Sequence, residues 1–259
     1  KIGARAVAAN WPEKVELEGW TEEKLRTTPV KLPDGTDSPD QMMLEGGNGN
    51  DEAKRYILNS VEALAWFGYM VNNDNDNYRA KYALLNTDVD LSGGDIDNPV
   101  LWIPIKPYYG VFDGGNKSIA NMYIEDWRLD PDGSACREAI QGLFGTVYKE
   151  VRNVRIASGE IRGGRHSGGI TGDLYEGGII RNCSNNANIT TEGTYIGGIA
   201  GFSGEKVTFI NCYNTGNITA TVSVVGGITS YCGKSNCRYE NCYNTGKLIG
   251  SKVGVLWAD

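Results

Sequence analysis

From residue 134 onward the chain alternates short runs rich in Ile, Val, Thr and Tyr with breaks of Gly, Asn and Asp, roughly every seven residues. Such runs predict strands: branched and aromatic side chains fill a pleated surface, and glycine or asparagine takes the turn between. One segment differs. Over 60–72, Val61, Leu64, Ala65, Gly68 and Val71 keep the i, i+3, i+4, i+7 spacing of a single helix face. Asn59 and Glu62 stand as a capping-box pair at its start, with Asn in place of Ser or Thr, and the polar run Asn72 to Asn77 ends it.

The strand pattern repeats. Glycine followed by an apolar residue recurs at Gly142, Gly169, Gly198, Gly227 and Gly254, in steps of 27, 29, 29 and 27. A second anchor, Asn153, Asn182, Asn211 and Asn241, steps by 29, 29 and 30. A third, Ile161, Ile189, Ile218 and Leu248, steps by 28, 29 and 30. Leucine-rich repeats need a leucine spacing that is absent, and propeller blades are longer. Three short strands per repeat, each coil stacked on the last, remain. The expected fold is therefore all-β: a right-handed parallel β-helix, the hand following from the crossover rule, with an N-terminal capping helix.

Stacking assigns the residues. Cys183, Cys212 and Cys242 form one inward column, and Asn182, Asn211 and Asn241 a turn ladder with amides bonding along the axis. Tyr213 stacks on Tyr243. Asn214–Asn217 and Asn244–Lys247 are turns in which Gly216 and Gly246 take positive φ. The pairs Gly168-Gly169, Gly197-Gly198 and Gly226-Gly227 occupy a corner where a β-carbon would collide. Upstream, Tyr82–Leu91, Leu101–Ile105, Tyr109–Asn116 and Ser118–Ile124 read as irregular first coils, and Trp127–Cys136 as a protruding loop. The expected organisation is an arm or linker over 1–55 and a β-helix over 56–259. The latter divides into a capping helix (56–77), irregular coils (78–133) and regular repeats (134–259). The last coil has no visible cap unless Trp257 covers it, so self-association through that end is expected.

Composition narrows the partners. Among 259 residues, 35 are glycine, and Lys+Arg 25 against Asp+Glu 32 gives a net charge of -7. A phosphate backbone would be repelled, which places nucleic acid last. No apolar run reaches the length of a membrane span. The first residue is Lys1, consistent with a chain whose secretion signal has been removed. The cysteines at 136, 183, 212, 232, 237 and 242 lack metal-site spacing. Cys232 and Cys237, five apart, either close a small disulfide loop or serve as ladder or turn thiols.

The string from Tyr82 to Ser92, Trp102-Ile-Pro-Ile105, Val111–Asn116, Ile119–Ile124, Gly142-Leu-Phe-Gly145 and the VGGI and NCYNTG repeats together resemble the GLUG-motif family, as does SVEALAWFGYMVNN near the helix. That family comprises bacterial secreted or surface proteins, including adhesin-like chains and the non-catalytic repeat regions of some IgA-cleaving metalloproteases. The resemblance covers about 56–257 and implies an exported right-handed β-helix without catalytic residues.

Candidate chemistry is sparse. Enzymes on β-helices gather acids on neighbouring coils, whereas Asp173, Glu192, Glu205 and Glu240 fall at different phases. Asp88 and Asp90, with Asp95 and Asp97, read as turn acids bonding backbone. Asp74 and Asp76 lack the glycine and glutamate of a calcium loop. His166 reads as an exposed turn residue, and the sequons at Asn188 and Asn217 as by-products of the repeat. No catalytic, cofactor-binding or metal-ligating residue is assigned, and no cofactor is expected. The expected function is a non-enzymatic scaffold or adhesin-like domain of a bacterial surface protein, secreted or at the cell surface, presenting loops or a strand face to a glycan or protein. The alternatives are a structural stalk and a polysaccharide-degrading enzyme.

Overall fold

In the computed structural model, residues 45–73, 78–92, 100–126, 139–233 and 236–256 are described. The chain winds as a parallel β-solenoid of about six turns with a spacing near 29 residues. Three sheets make its faces. The first passes through Tyr56–Leu58, Tyr82–Leu85, Val111–Ala120, Glu150–Ile156, Ile179–Arg181, Thr208–Ile210 and Arg238–Glu240. The second carries Met122–Asp126, Gly159–Gly163, Asn188–Thr190, Ile218–Gly226 and Leu248–Gly254, together with Ile140–Gln141, His166–Gly168 and Tyr195–Gly197. The third is Phe144–Val147, Thr171–Leu174, Ala200–Ser203 and Thr229–Cys232.

Parallel, in-register pairing turns the sequence period into columns. Ile161 pairs with Ile189, Ile189 with Ile218 and Ile218 with Leu248. The first three are fully buried. Cys183 and Cys212 are buried in one column with the half-buried Cys242. Each Sγ sits near the equivalent carbonyl one coil back: Val151, Ile180 and Phe209. The asparagine ladder forms as expected: Asn182 Nδ2 donates to Asn153 Oδ1 at 2.9 Å, Asn211 to Asn182 at 2.9 Å and Asn241 to Asn211 at 3.0 Å. All four have φ of 51–56°, the left-handed conformation that a short polar side chain tolerates best after glycine. Tyr213 and Tyr243 stack at 5.0 Å and 2°.

The turn assignment at Gly216 and Gly246 needs correction. Neither is among the positive-φ glycines. What they supply is closeness: a β-carbon there would lie 2.0 Å from Ala187 O and Gly216 O respectively. The preceding Asn214 and Asn244 belong to a second, inner ladder. Asn185 Nδ2 donates to Asn214 Oδ1 at 2.9 Å, and Asn214 Nδ2 to Asn244 Oδ1 at 2.7 Å. Glycine at 169, 198 and 227 admits this ladder, since a β-carbon would come within 2.2, 2.4 and 2.6 Å of Asn185, Asn214 and Asn244.

The helix is Val61–Asn73. Its cap is Ser60, not Asn59: Ser60 Oγ accepts the Ala63 N–H at 3.1 Å. Asn59 is occupied elsewhere, accepting from Asn86 Nδ2 one coil on. The helix closes the apolar end of the stack. Phe67, fully buried, meets the rings of Tyr56, Tyr108 and Phe112, and a β-carbon on Gly68 would touch Ile105 at 3.1 Å. Leu101 and Ile105 join as isolated bridges to Tyr123 and Phe144, not as a strand, in a segment interrupted by Pro104 and Pro107. Glu45–Gly46 pairs antiparallel with Tyr56 and Ile57, so the end of the N-terminal segment docks on the first rung. Residues 1–44, the loop 127–136, Asp74, Asp76, Asp95, Asp97 and Trp257 lie outside the described residues.

Candidate ligand-binding face

The arch Gly168-Gly169-Ile170 joins a strand of the second sheet to one of the third. It is tight because Gly168 presses on backbone, where a β-carbon would sit 2.3 Å from Thr171 O, and Gly169 on the buried Asn185 amide, 2.2 Å away. The sharp turn brings residues seven apart face to face. His166 Nδ1 and Asp173 Oδ1 are 2.7 Å apart, with side chains only 13% and 5% exposed. His166 Nε2 is buried and has no partner. The expectation of an exposed turn histidine without an acid therefore fails. The acid comes from across the arch of the same coil, not from a neighbouring coil.

The same two positions recur one coil on. His166 pairs with Tyr195 and Tyr195 with Val224, while Asp173 pairs with Phe202 and Phe202 with Tyr231. These columns pack on each other. The His166 ring lies 5.2 Å from Tyr195 and 5.7 Å from Phe202, Tyr195 touches Phe202 and Tyr231, and Phe202 stacks on Tyr231 at 5.1 Å and 10°. All four rings are half-buried. Inward neighbours such as Ser167, Ile196 and Val225 are fully buried, so the rings stand on the outer side.

A third column flanks them. Tyr109, Tyr148 and Tyr175 each follow an inward residue (Tyr108, Val147, Leu174) and stack at 4.3 and 4.6 Å. Tyr109 and Tyr175, at the ends, are 42% and 40% exposed. Burial, then the neighbouring Tyr109, pushes the Tyr148 hydroxyl up to about 12, with Tyr175 and Asp173 adding to it. Burial and then the Asp173 carboxylate raise Tyr175 as well. Asp173 thus lies where the columns meet. Seven side-chain rings, one of them an imidazole, and one carboxylate make a single face along the axis.

Counting from Gly169, Gly198 and Gly227 would have found it. Three residues before stand His166, Tyr195 and Val224; four after, Asp173, Phe202 and Tyr231; six after, Tyr175, Gly204 and Gly233. The remaining candidates are structural. Asp90 Oδ1 accepts the Ser92 N–H at 2.8 Å and the Asn121 amide at 3.0 Å, and Asp88 Oδ1 accepts the Ser118 N–H at 2.6 Å. Asn188 and Asn217 continue a ladder, their Oδ1 atoms accepting the N–H of Asn217 and Lys247. Cys232 and Cys237 form a disulfide with Cα atoms 6.0 Å apart. Among the described residues no helix is long and apolar enough to cross a membrane.

No protein-family model matches the chain, and no curated protein does. A solved structure does: that of a "putative immunoglobulin A1 protease" from Bacteroides ovatus, 25% identical, with a TM-score of 0.56 over 82% of this chain and 73% of that one.

Proposed function

We propose that this chain is a non-enzymatic, exported scaffold of the GLUG type, adhesin-like, that holds a glycan against the aromatic face. The observation that carries this reading is the face itself. Outward rings in three adjoining columns, on a rigid stack, offer apolar surface beside tyrosine hydroxyls, a mixture that sugars match. Repeated equivalent positions also suit a repeating ligand, because weak contacts multiply along it. Export is supported by the Cys232–Cys237 disulfide, a bond that persists in oxidising compartments. A glycan array with the purified chain tests the reading. Binding that falls when Tyr195 and Tyr231 are both changed to Ala supports it. Absence of binding to every glycan favours the stalk.

A second reading, an enzyme on a β-helix, is favoured by the His166–Asp173 pair and by the protease in the neighbour's name. Against it, the far nitrogen of His166 is buried and its ring contacts are aromatic, with Tyr195 and Phe202. Turnover of an acidic polysaccharide or of immunoglobulin A1 that is lost in Asp173→Asn would favour the enzyme. Self-association through the last described coil is proposed on its exposed Val253 and Val255, 50% and 67% accessible. Light scattering showing a strict monomer at high concentration would remove it.

A further inference from the structure

The third column changes character along its length. Tyr109, Tyr148 and Tyr175 occupy successive coils, and the next two places are Gly204 and Gly233. The hydrogen bonds fix this correspondence. Tyr148 N–H donates to Tyr108 O at 2.8 Å, Tyr175 N–H to Val147 O at 2.9 Å and Gly204 N–H to Leu174 O at 2.7 Å. Ser203 then pairs with Cys232, which puts Gly233 beside Gly204. Tyr175 therefore has one face against Tyr148 at 4.6 Å and the other over a position without a side chain. Exposure agrees: the end rings Tyr109 and Tyr175 are 42% and 40% accessible, while the middle ring is half-buried. The stack of rings ends at Tyr175, because Gly204 has no side chain to continue it.

The rim is polar and carries both signs. Lys206 Nζ and Glu176 Oε1 pair at 2.9 Å, both exposed, in the turns following Gly204 and Tyr175. Gly177, in that turn, has open space where a β-carbon would stand. Asp173 lies beside Tyr175, and the chain carries a net charge of -7. An acidic ring would be repelled here. A neutral ring with C–H groups on its faces and hydroxyls at its edge would not.

Resting on the glycan reading above, we infer that the open face of Tyr175, over Gly204 and Gly233, is a subsite that stacks one neutral hexopyranose ring of the gluco configuration. In that configuration the hydroxyls are equatorial and both faces present axial C–H bonds. One face lies on the tyrosine, whose π-surface is electron-rich, and the edge hydroxyls reach Lys206 and Glu176. No bond is made or broken.

Titration calorimetry with cellotetraose and with triacetylchitotriose, and tetragalacturonate as the acidic comparison, tests this. The intact chain is expected to bind at least one neutral probe and to bind tetragalacturonate at least tenfold more weakly. Tyr175→Ala should weaken the neutral probe tenfold or more, and Tyr175→Phe by less than threefold. Gly204→Tyr continues the stack over Tyr175 with that tyrosine intact and should weaken the neutral probe as Tyr175→Ala does; its β-carbon would lie 3.0 Å from Glu176 N, so retention of the fold is part of the test. Tyr213→Ala, in a stack on another sheet, should leave it unchanged. Circular dichroism verifies that each variant folds. A glycan from the array that binds the intact chain and Tyr175→Ala equally overturns the subsite and leaves the aromatic face standing. An array without any binding overturns the face itself. Binding of tetragalacturonate as tight as the neutral probes overturns the assignment of ligand class.

Discussion

Replacing Asn214 by Ala is expected to be among the costliest single changes in this chain. The side chain is fully buried and makes three hydrogen bonds: Asn185 Nδ2 donates to its Oδ1 at 2.9 Å, and its Nδ2 donates to Gly216 O at 2.8 Å and Asn244 Oδ1 at 2.7 Å. Each bond is worth about 1 kcal/mol net, and a partner left buried without water costs about 1–3 kcal/mol. Asn185, itself fully buried, loses an acceptor that water cannot replace. The sum is about 3–5 kcal/mol, within the range of severe single substitutions. Asn211 is the comparison. It sits in a ladder of similar bonds, at 2.9 and 3.0 Å, but is exposed, so water takes over its partners. Alanine there loses about 0.5 kcal/mol of bonding and is forced into φ 53°, at about 1–2 kcal/mol. Asn211→Gly removes the strain and should cost less than Asn211→Ala by about 1 kcal/mol. Urea unfolding followed by circular dichroism gives the midpoints. The slope of each transition checks that unfolding stays cooperative, since solenoid stability is a sum over neighbouring coils. If Asn214→Ala cost no more than Asn211→Ala, burial of the inner ladder would not be what holds the coils together.

Three further outcomes follow from the geometry. Cys242 should react with a thiol reagent half-maximally near pH 7, because the Cys212 thiol donates to it and holds its value down at about 7, against burial. Cys183, pushed up to about 12 by burial, should stay unlabelled until the chain unfolds, as mass spectrometry of the alkylated protein would show. Burial pushes the Asp113 carboxyl up, but the Asn153 amide, the Gly115 N–H and the Arg152 guanidinium outweigh it and leave it below its ordinary 3.8. Its stabilisation is therefore complete above 3.8 and lost as pH falls through the lower folded value, so the stability gap between the parent and Asp113→Asn should close in acid. Asp173→Ala removes the partner of His166 Nδ1, the ring nitrogen that has one, and should cost about 2 kcal/mol by thermal unfolding; a loss near zero would show that the pair does not hold the arch.

Much of the fold was legible because columns are periodic. Cys183, Cys212, Cys242 and the outer asparagines recur at one phase, and a parallel stack turns equal phase into contact. The inner ladder was missed for a physical reason. Asn214 in an NTG string looks like a turn residue, and only the glycine at 198 pressing on its amide shows that the side chain points inward. The pairing of His166 with Asp173 is not legible from equal phase on neighbouring coils, because a sharp arch joins residues seven apart within one coil. The aromatic columns share that blind spot: His166, Tyr195 and Val224 differ in chemistry, so no single letter marks their position. Ser60 displaced Asn59 as the cap because Asn59 is drawn to Asn86, a partner invisible in local sequence.

The outer asparagine ladder has a consequence for how such a chain changes in length. Asn182 and Asn211 each give to the rung before and take from the rung after through the same atoms, 29 or 30 residues apart. Duplicating or excising one whole unit leaves every amide facing a chemical equivalent, while losing two or three residues strands an entire rung. The reach of the rod can thus be altered by copy number without redesigning its cross-section.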